Sequence, residues 1–149
     1  MSPDNSSSLV EVLDLGQGII KITLNDPSHQ NTLSEKMIEE LQSTFDGLST
    51  GPSRVLVLSS TGKVFSAGHD LKELKAARSH PDQGKEYFQF ILKKCSTLMQ
   101  TIVNHPKPVI AQVEGVATAA GCQLALSCDL VYASSTSRFA TPGVNIGLF

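Results

Sequence analysis

Two glycine-containing stretches decide the fold of this sequence: FSAGHDLK at residues 65–72 and GVATAAGCQ at residues 115–123. An apolar run typical of a buried strand precedes each of them, at residues 55–58 and 109–113. Small side chains at such turns let another group come close to the backbone. We therefore expect both stretches to be strand-to-helix turns.

The flanking segments predict alternating strands and helices. Residues 9–15 and 19–24 indicate a β-hairpin around two glycines, and Ser34 is a good N-cap for the helix that follows. Apolar residues at helical spacing predict one face of a longer helix; they are Phe88, Leu92, Cys95, Met99 and Ile102. The resulting order, β-β-α-β-α-α-β-α-β, predicts an α/β fold with a largely parallel sheet, in which ligands bind at the carboxyl ends of the strands.

The composition excludes several classes of protein. A length of 149 residues favours one domain, and a net charge of -2 gives no electrostatic basis for binding nucleic acid. The most apolar region, residues 109–133, is interrupted by polar side chains, which argues against a membrane span. Three cysteines without a C-x-x-C pair are typical of buried, reduced thiols, and no metal-ligand spacing appears.

The beginning of the chain carries no visible targeting signal. Residues 1–8 are polar, contain no arginine and are expected to be disordered, so no transit peptide is visible. The remaining residues, 9–149, are expected to form the folded domain.

The two turns suggest one chemical function and one structural alternative. Two helix N-termini side by side can aim two backbone N–H groups at one carbonyl oxygen, which is an oxyanion hole. Alternatively, the small residues serve only the close packing of helix on strand. The residues alone leave both interpretations open.

Four motifs, in this order, resemble those of the enoyl-CoA hydratase/isomerase (crotonase) family. The first is NDP at residues 25–27 with NTLS at residues 31–34, and the second is AGHDLK at residues 67–72. The third is KPVIA at residues 107–111, followed by Gly115, the pair GC at residues 121–122 and the pair CD at residues 128–129. The fourth is FATP at residues 139–142. The resemblance covers about residues 20 to 149, which is nearly the whole chain.

The resemblance implies a fold, a ligand and a site. The fold would be a spiral of ββα units, truncated before the C-terminal helical region and, at full length, assembled as a homotrimer or hexamer. The ligand would be an acyl-CoA thioester of fatty-acid metabolism, with no cofactor beyond the coenzyme A of the substrate. The backbone amides of His69 and Ala120 would hold the thioester carbonyl. Coenzyme A would lie along residues Ala67, Gly68, His69, Asp70, Leu71 and Lys72.

The sequence departs from the family at its two catalytic glutamates. The first position is Gln123 and the second is Gly143. Neither can transfer a proton near neutral pH, so the usual groups for adding water are missing. The His69 ring is a candidate substitute, although a turn residue whose amide alone matters is the simpler interpretation. The carboxylates of Asp70 and Asp129 are expected to satisfy backbone groups.

Two hypotheses about function remain. In one, the complete protein is an enzyme that acts on acyl-CoA through the two amides. In the other, it is a non-catalytic acyl-CoA binder or an assembly partner of active relatives. A more particular similarity, from residues 117–149, is to a subgroup that also lacks the glutamates and is mitochondrial in animals; otherwise a cytoplasmic location is expected.

Overall fold

The computed structural model describes residues 8–146. Residues 1–7, most of the segment expected to be disordered, lie outside this range. The described residues contain two sheets and four α-helices. The strands are β1 (Val10–Asp14), β2 (Ile19–Leu24), β3 (Val55–Ser60), β4 (Val64–Ser66), β5 (Val109–Val113), β6 (Val116–Thr118), β7 (Leu130–Ala133) and β8 (Arg138–Ala140). The helices are α1 (Glu35–Leu48), α2 (Leu71–Ala77), α3 (Lys85–Val103) and α4 (Ala120–Leu126), with single 3-10 turns at Pro27–His29 and Pro142–Ile146.

The larger sheet has five strands in the order β1-β2-β3-β5-β7. The hairpin β1–β2 is antiparallel, and every later pairing in this sheet is parallel. Both turn glycines of the hairpin, Gly16 and Gly18, have positive φ, which side chains other than glycine rarely adopt. The predicted hairpin and the largely parallel sheet are therefore confirmed.

The smaller sheet has three parallel strands in the order β4-β6-β8. The chain passes from the larger sheet to the smaller one three times, from β3 to β4, from β5 to β6 and from β7 to β8. Helices α2 and α3 follow the first passage and α4 follows the second. Successive units thus repeat along a spiral. The residue pattern alone does not show the strands of this second sheet, because three residues are too short to show a periodic pattern.

A single hydrophobic core joins the larger sheet to helices α1 and α3. The predicted start of α1 is confirmed, because the Ser34 hydroxyl accepts a hydrogen bond from the amide of Met37. The predicted apolar face of α3 is partly wrong. Ile91 is buried in the core, whereas Leu92 is 54% exposed. Leu92 instead lines an open cavity beside α4.

Candidate functional site

The two predicted turns lie side by side, because β4 and β6 pair in parallel and both end at them. Their contact requires glycine on both sides. A Cβ atom on Gly121 would lie 2.3 Å from the backbone oxygen of Ser66. A Cβ on Gly68, whose φ is +86°, would lie 3.0 Å from the amide nitrogen of Ala120. The close backbone approach expected from the sequence is therefore present.

The first turn is fixed by the segment that precedes α1. The amide of Leu33 donates a 2.8 Å hydrogen bond to the carbonyl of Gly68. Because a trans peptide holds its C=O and N–H in opposite directions, this bond turns the next amide, that of His69, away from Leu33. Among residues 8–146, no hydrogen-bond acceptor is found for the His69 amide.

The second turn is fixed from β8 and from within α4. The amide of Ala119 donates to the carbonyl of Ala140 at 2.9 Å, and the carbonyl of Ala119 accepts from the amide of Gln123 at 3.1 Å. The backbone of Ala119 has φ +51° and ψ -127°, a strained conformation for a residue with a side chain. The neighbouring Ala120 amide likewise has no acceptor in the described part of the chain.

Asn31 supports the first turn and is not among the site residues predicted from the sequence. It is fully buried, and its side chain bonds the amide of Asp26 and the carbonyls of Thr61 and Val64. These bonds tie the segment before α1 to both ends of the β3–β4 connection. The available signal was its place in the NTLS motif, which carried no geometric information by itself.

An apolar cavity of about 480 Å³ opens beside the two amides. Its apolar walls include Leu74, Phe88, Ile91, Leu92 and Leu126. His69, Ala120, Gln123 and Gly143 line it as well. The structure thus brings the proposed carbonyl-binding residues to one cavity with Gln123 and Gly143, the two positions where the resemblance implies glutamates.

A second cavity of about 350 Å³ lies on the other side of the first turn. It is lined by Ala67, Asp70, Leu71 and Lys72, together with residues from the Pro27–His29 turn and the chain just after it. His69 lines both cavities, whereas Gly68 is buried between the two turns. The predicted coenzyme A residues, apart from Gly68, therefore share one surface.

Two carboxylates predicted to satisfy backbone groups do so. The Asp70 carboxylate accepts from the amide of Lys72 at 2.7 Å, capping α2, and Asp129 accepts from the amide of Val109 at 2.8 Å. These bonds use part of each carboxylate's hydrogen-bonding capacity. Neither carboxylate lines the apolar cavity.

The His69 ring is the main electrostatic feature of the site. Burial lowers the pKa of its imidazole from the ordinary value, and the Leu33 carbonyl, which favours the charged ring, opposes this shift. Its Nδ1 atom is buried and has no hydrogen-bond partner within residues 8–146. The ring is thus biased towards its neutral form at physiological pH.

Within residues 8–146, no group of three or more His, Cys, Asp or Glu side chains is placed to hold a metal ion. No helix of that range combines the length and the apolar character needed to cross a membrane.

Comparison with known proteins identifies a consistent set of relatives. The sequence family described as enoyl-CoA hydratase/isomerase matches residues 14–149. The mitochondrial enoyl-CoA hydratase domain-containing protein 3 of Xenopus laevis is 48% identical over 97% of this chain and 50% of its own length. The human protein of the same name is 48% identical over 89% of this chain and 42% of its own length.

Solved structures agree with this assignment. The human enoyl-CoA hydratase domain-containing protein 3 superposes with a TM-score of 0.86 at 47% identity, covering 95% of this chain and 54% of that one. An enoyl-CoA hydratase from Mycobacterium smegmatis superposes with a TM-score of 0.87 at 43% identity. The match covers 95% of this chain and 53% of that one. The expected spiral fold is confirmed. The chain spans about half the length of the curated relatives it matches.

Proposed function

Because the chain belongs to the enoyl-CoA hydratase/isomerase family, we propose that the protein binds acyl-CoA thioesters, with the carbonyl oxygen between the amides of His69 and Ala120. The observation that carries this proposal is the pair of amides without an acceptor in the described residues, both at one apolar cavity. Hydrogen bonds from both amides polarise the carbonyl and stabilise an enolate. In such sites, each donor is worth about 2.7–4 kcal/mol in a transition state.

The two cavities fit the two parts of the ligand. The acyl chain occupies the apolar cavity, and coenzyme A follows residues 67–72 along the second cavity. The ammonium group of Lys72 is exposed there and is available to a phosphate group. No cofactor is needed beyond the coenzyme A of the ligand itself.

The chemistry at the cavity differs from hydration catalysed by two glutamates. Gln123 can bind water but cannot take up its proton, and Gly143 offers no side chain. We therefore expect water addition to enoyl-CoA to be weak. The replaced glutamates also favour the alternative, a non-catalytic acyl-CoA binder or an assembly partner of active relatives.

The remaining proposals concern the whole protein. The names of the relatives favour a mitochondrial location, although a cytoplasmic one stays open, and acyl-CoA binding fits a role in fatty-acid metabolism. We propose a homotrimer or hexamer that acts on small-molecule thioesters and not on nucleic acid.

Calorimetric titration of the whole protein with octanoyl-CoA tests the binding proposal, with free octanoate as the control. We expect micromolar binding of the thioester and much weaker binding of the acid, because the acid lacks coenzyme A. Absence of any binding heat with octanoyl-CoA contradicts the proposal.

A turnover assay separates the two hypotheses. Hydration of 2-octenoyl-CoA is followed by loss of the enoyl absorbance, with the Gln123→Ala variant as reference. If the protein binds the thioester and hydrates it faster than Gln123→Ala does, the enzyme hypothesis is supported. Binding without turnover, on this and other acyl-CoA thioesters, selects the non-catalytic binder.

A further inference from the structure

The apolar cavity contains few side chains that can exchange a proton. Of the residues that line either cavity, those that titrate or carry charge are His29, His69, Asp70, Lys72 and Cys122. His29, Asp70 and Lys72 lie on the side of the second cavity. On the apolar side, only the His69 imidazole and the Cys122 thiol remain.

The position of His69 distinguishes it from Cys122. Its own backbone amide is one of the two groups proposed to donate a hydrogen bond to the thioester carbonyl. The ring and this amide therefore belong to the same residue. His69 lines both cavities, so it stands where the proposed ligand's thioester joins its acyl chain to coenzyme A. Its buried Nδ1 has no hydrogen-bond partner among residues 8–146, so this ring nitrogen is not committed to a structural bond within that range.

We propose that the imidazole of His69 is the acid–base group of this site and transfers a proton at the carbon next to the thioester carbonyl. The proposal rests on the acyl-CoA binding proposed above and adds a chemical step to it. Its basis is the shared position of the ring and the two amides, at a cavity where Gln123 and Gly143 leave no carboxylate.

The step is balanced without a further reactant. The bond between the α-carbon and one hydrogen breaks, and that proton forms an N–H bond on the unprotonated ring nitrogen. The electron pair passes to the carbonyl oxygen as an enolate, held by the amides of His69 and Ala120. The imidazolium then returns a proton to the carbon, after exchange of its N–H with solvent.

This step is measured as incorporation of deuterium. The whole protein is incubated with octanoyl-CoA in D₂O, and mass spectrometry follows deuterium uptake at the α-carbon. His69→Gln keeps the backbone amide and removes the base. We expect uptake to fall at least tenfold in this variant, consistent with the 10²–10⁴-fold typical of general acid–base catalysis, while octanoyl-CoA affinity changes less than threefold. The matched control is His80→Gln, an exposed histidine outside both cavities, with uptake unchanged.

The possible results separate this inference from the proposed function. Binding by the wild-type protein without deuterium uptake overturns the role of His69 and leaves the binding proposal intact. Equal uptake by wild type and His69→Gln overturns it as well. Failure of the wild-type protein to bind octanoyl-CoA overturns both.

A second measurement decides the case in which His69→Gln fails to fold. The pH dependence of uptake by the wild-type protein should follow an ionisation below the ordinary histidine value of about 6.5, with the rate falling as pH falls and the ring gains its proton. An uptake rate that does not fall as the pH falls through the histidine range overturns the proposal. His69→Asn, a smaller change of shape, then repeats the uptake comparison.

Discussion

Gly68 is a residue of the first turn that contacts the second turn, and its φ is +86°. Two separate costs therefore oppose any side chain at this position. The left-handed backbone is strained for other residues, and an added Cβ would lie 3.0 Å from both the Cβ of Ala119 and the amide nitrogen of Ala120. Gly51 has a similar φ of +88° but open space around it, so it experiences only the first cost.

Comparison of Gly68→Ala with Gly51→Ala isolates the effect of the close approach. We expect Gly51→Ala to cost about 1–2 kcal/mol of unfolding free energy from backbone strain, with octanoyl-CoA affinity unchanged. Gly68→Ala should cost more and weaken octanoyl-CoA binding at least tenfold, because it displaces the Ala120 amide. Denaturant titration and calorimetry measure both quantities. Equal effects of the two substitutions would show that the turns do not need this contact.

At the scale of elements, α3 depends on the carboxylate of Asp82. The residue before α3 is Gly84, which has no capping side chain. Asp82 supplies the cap from the preceding loop, accepting from the amides of Gly84 at 3.0 Å and Glu86 at 2.8 Å. These hydrogen bonds to Glu86 and Gly84 hold the pKa of the Asp82 carboxyl below its ordinary value.

The depressed pKa of Asp82 gives its contribution to stability a definite pH dependence. The contribution is present above the unfolded value of about 3.9 and is lost as pH falls through the lower folded value. We expect Asp82→Ala to lower the unfolding midpoint at pH 7, and the difference from wild type to shrink as the pH falls below about 4. Thermal unfolding followed by circular dichroism at several pH values measures this. Asp82→Asn keeps a hydrogen-bond acceptor without the charge, so its unfolding midpoint at pH 7 should lie between those of the wild type and Asp82→Ala. A difference that is independent of pH contradicts the role of the charge.

The sequence predicted those elements whose signals are local. Ser34 and Asp70 cap the helices they were expected to cap, because a capping hydroxyl or carboxylate acts within three residues of itself. Leu92 was assigned to the core because its spacing fits a helix face as well as that of Ile91 does. In the structure both residues line the cavity, but only Ile91 also packs into the core, and the packing of α3 in the fold decides this.

The candidate site was predictable in part for the same reason. Its residues could be named from motifs, because the small side chains of the two turns are visible in the sequence. The bond from Leu33 to Gly68 joins residues 35 positions apart in the chain, and no local pattern encodes it. The orientation of the His69 amide, which depends on that bond, therefore required the three-dimensional structure.

At the scale of the whole molecule, the spiral links the site to the core. Phe65 of β4 and Ala117 of β6, the strands that end at the two turns of the site, belong to the same hydrophobic cluster as the larger sheet. Cys95 on α3 and Cys128 after α4 are both members of that cluster. Their thiols consequently report on whether distant parts of the core open together.

The reactivity of these two thiols tests the unity of the core. Burial raises the pKa of Cys95 to about 11, and burial together with the charge of Asp129 raises that of Cys128 to about 12. At pH 8 both are therefore protonated and shielded, and we expect iodoacetamide to modify them at least tenfold more slowly in the native protein than in the unfolded one.

The urea dependence of this alkylation makes the prediction specific. If the core opens as one unit, both cysteines become reactive at the same urea concentration, with peptide mass spectrometry resolving each site. Urea-unfolded protein gives the reference rate for each thiol, which removes differences in intrinsic reactivity. Modification of Cys128 at lower urea than Cys95 would show that the region around α4 opens separately, and with it the turn that holds the Ala120 amide.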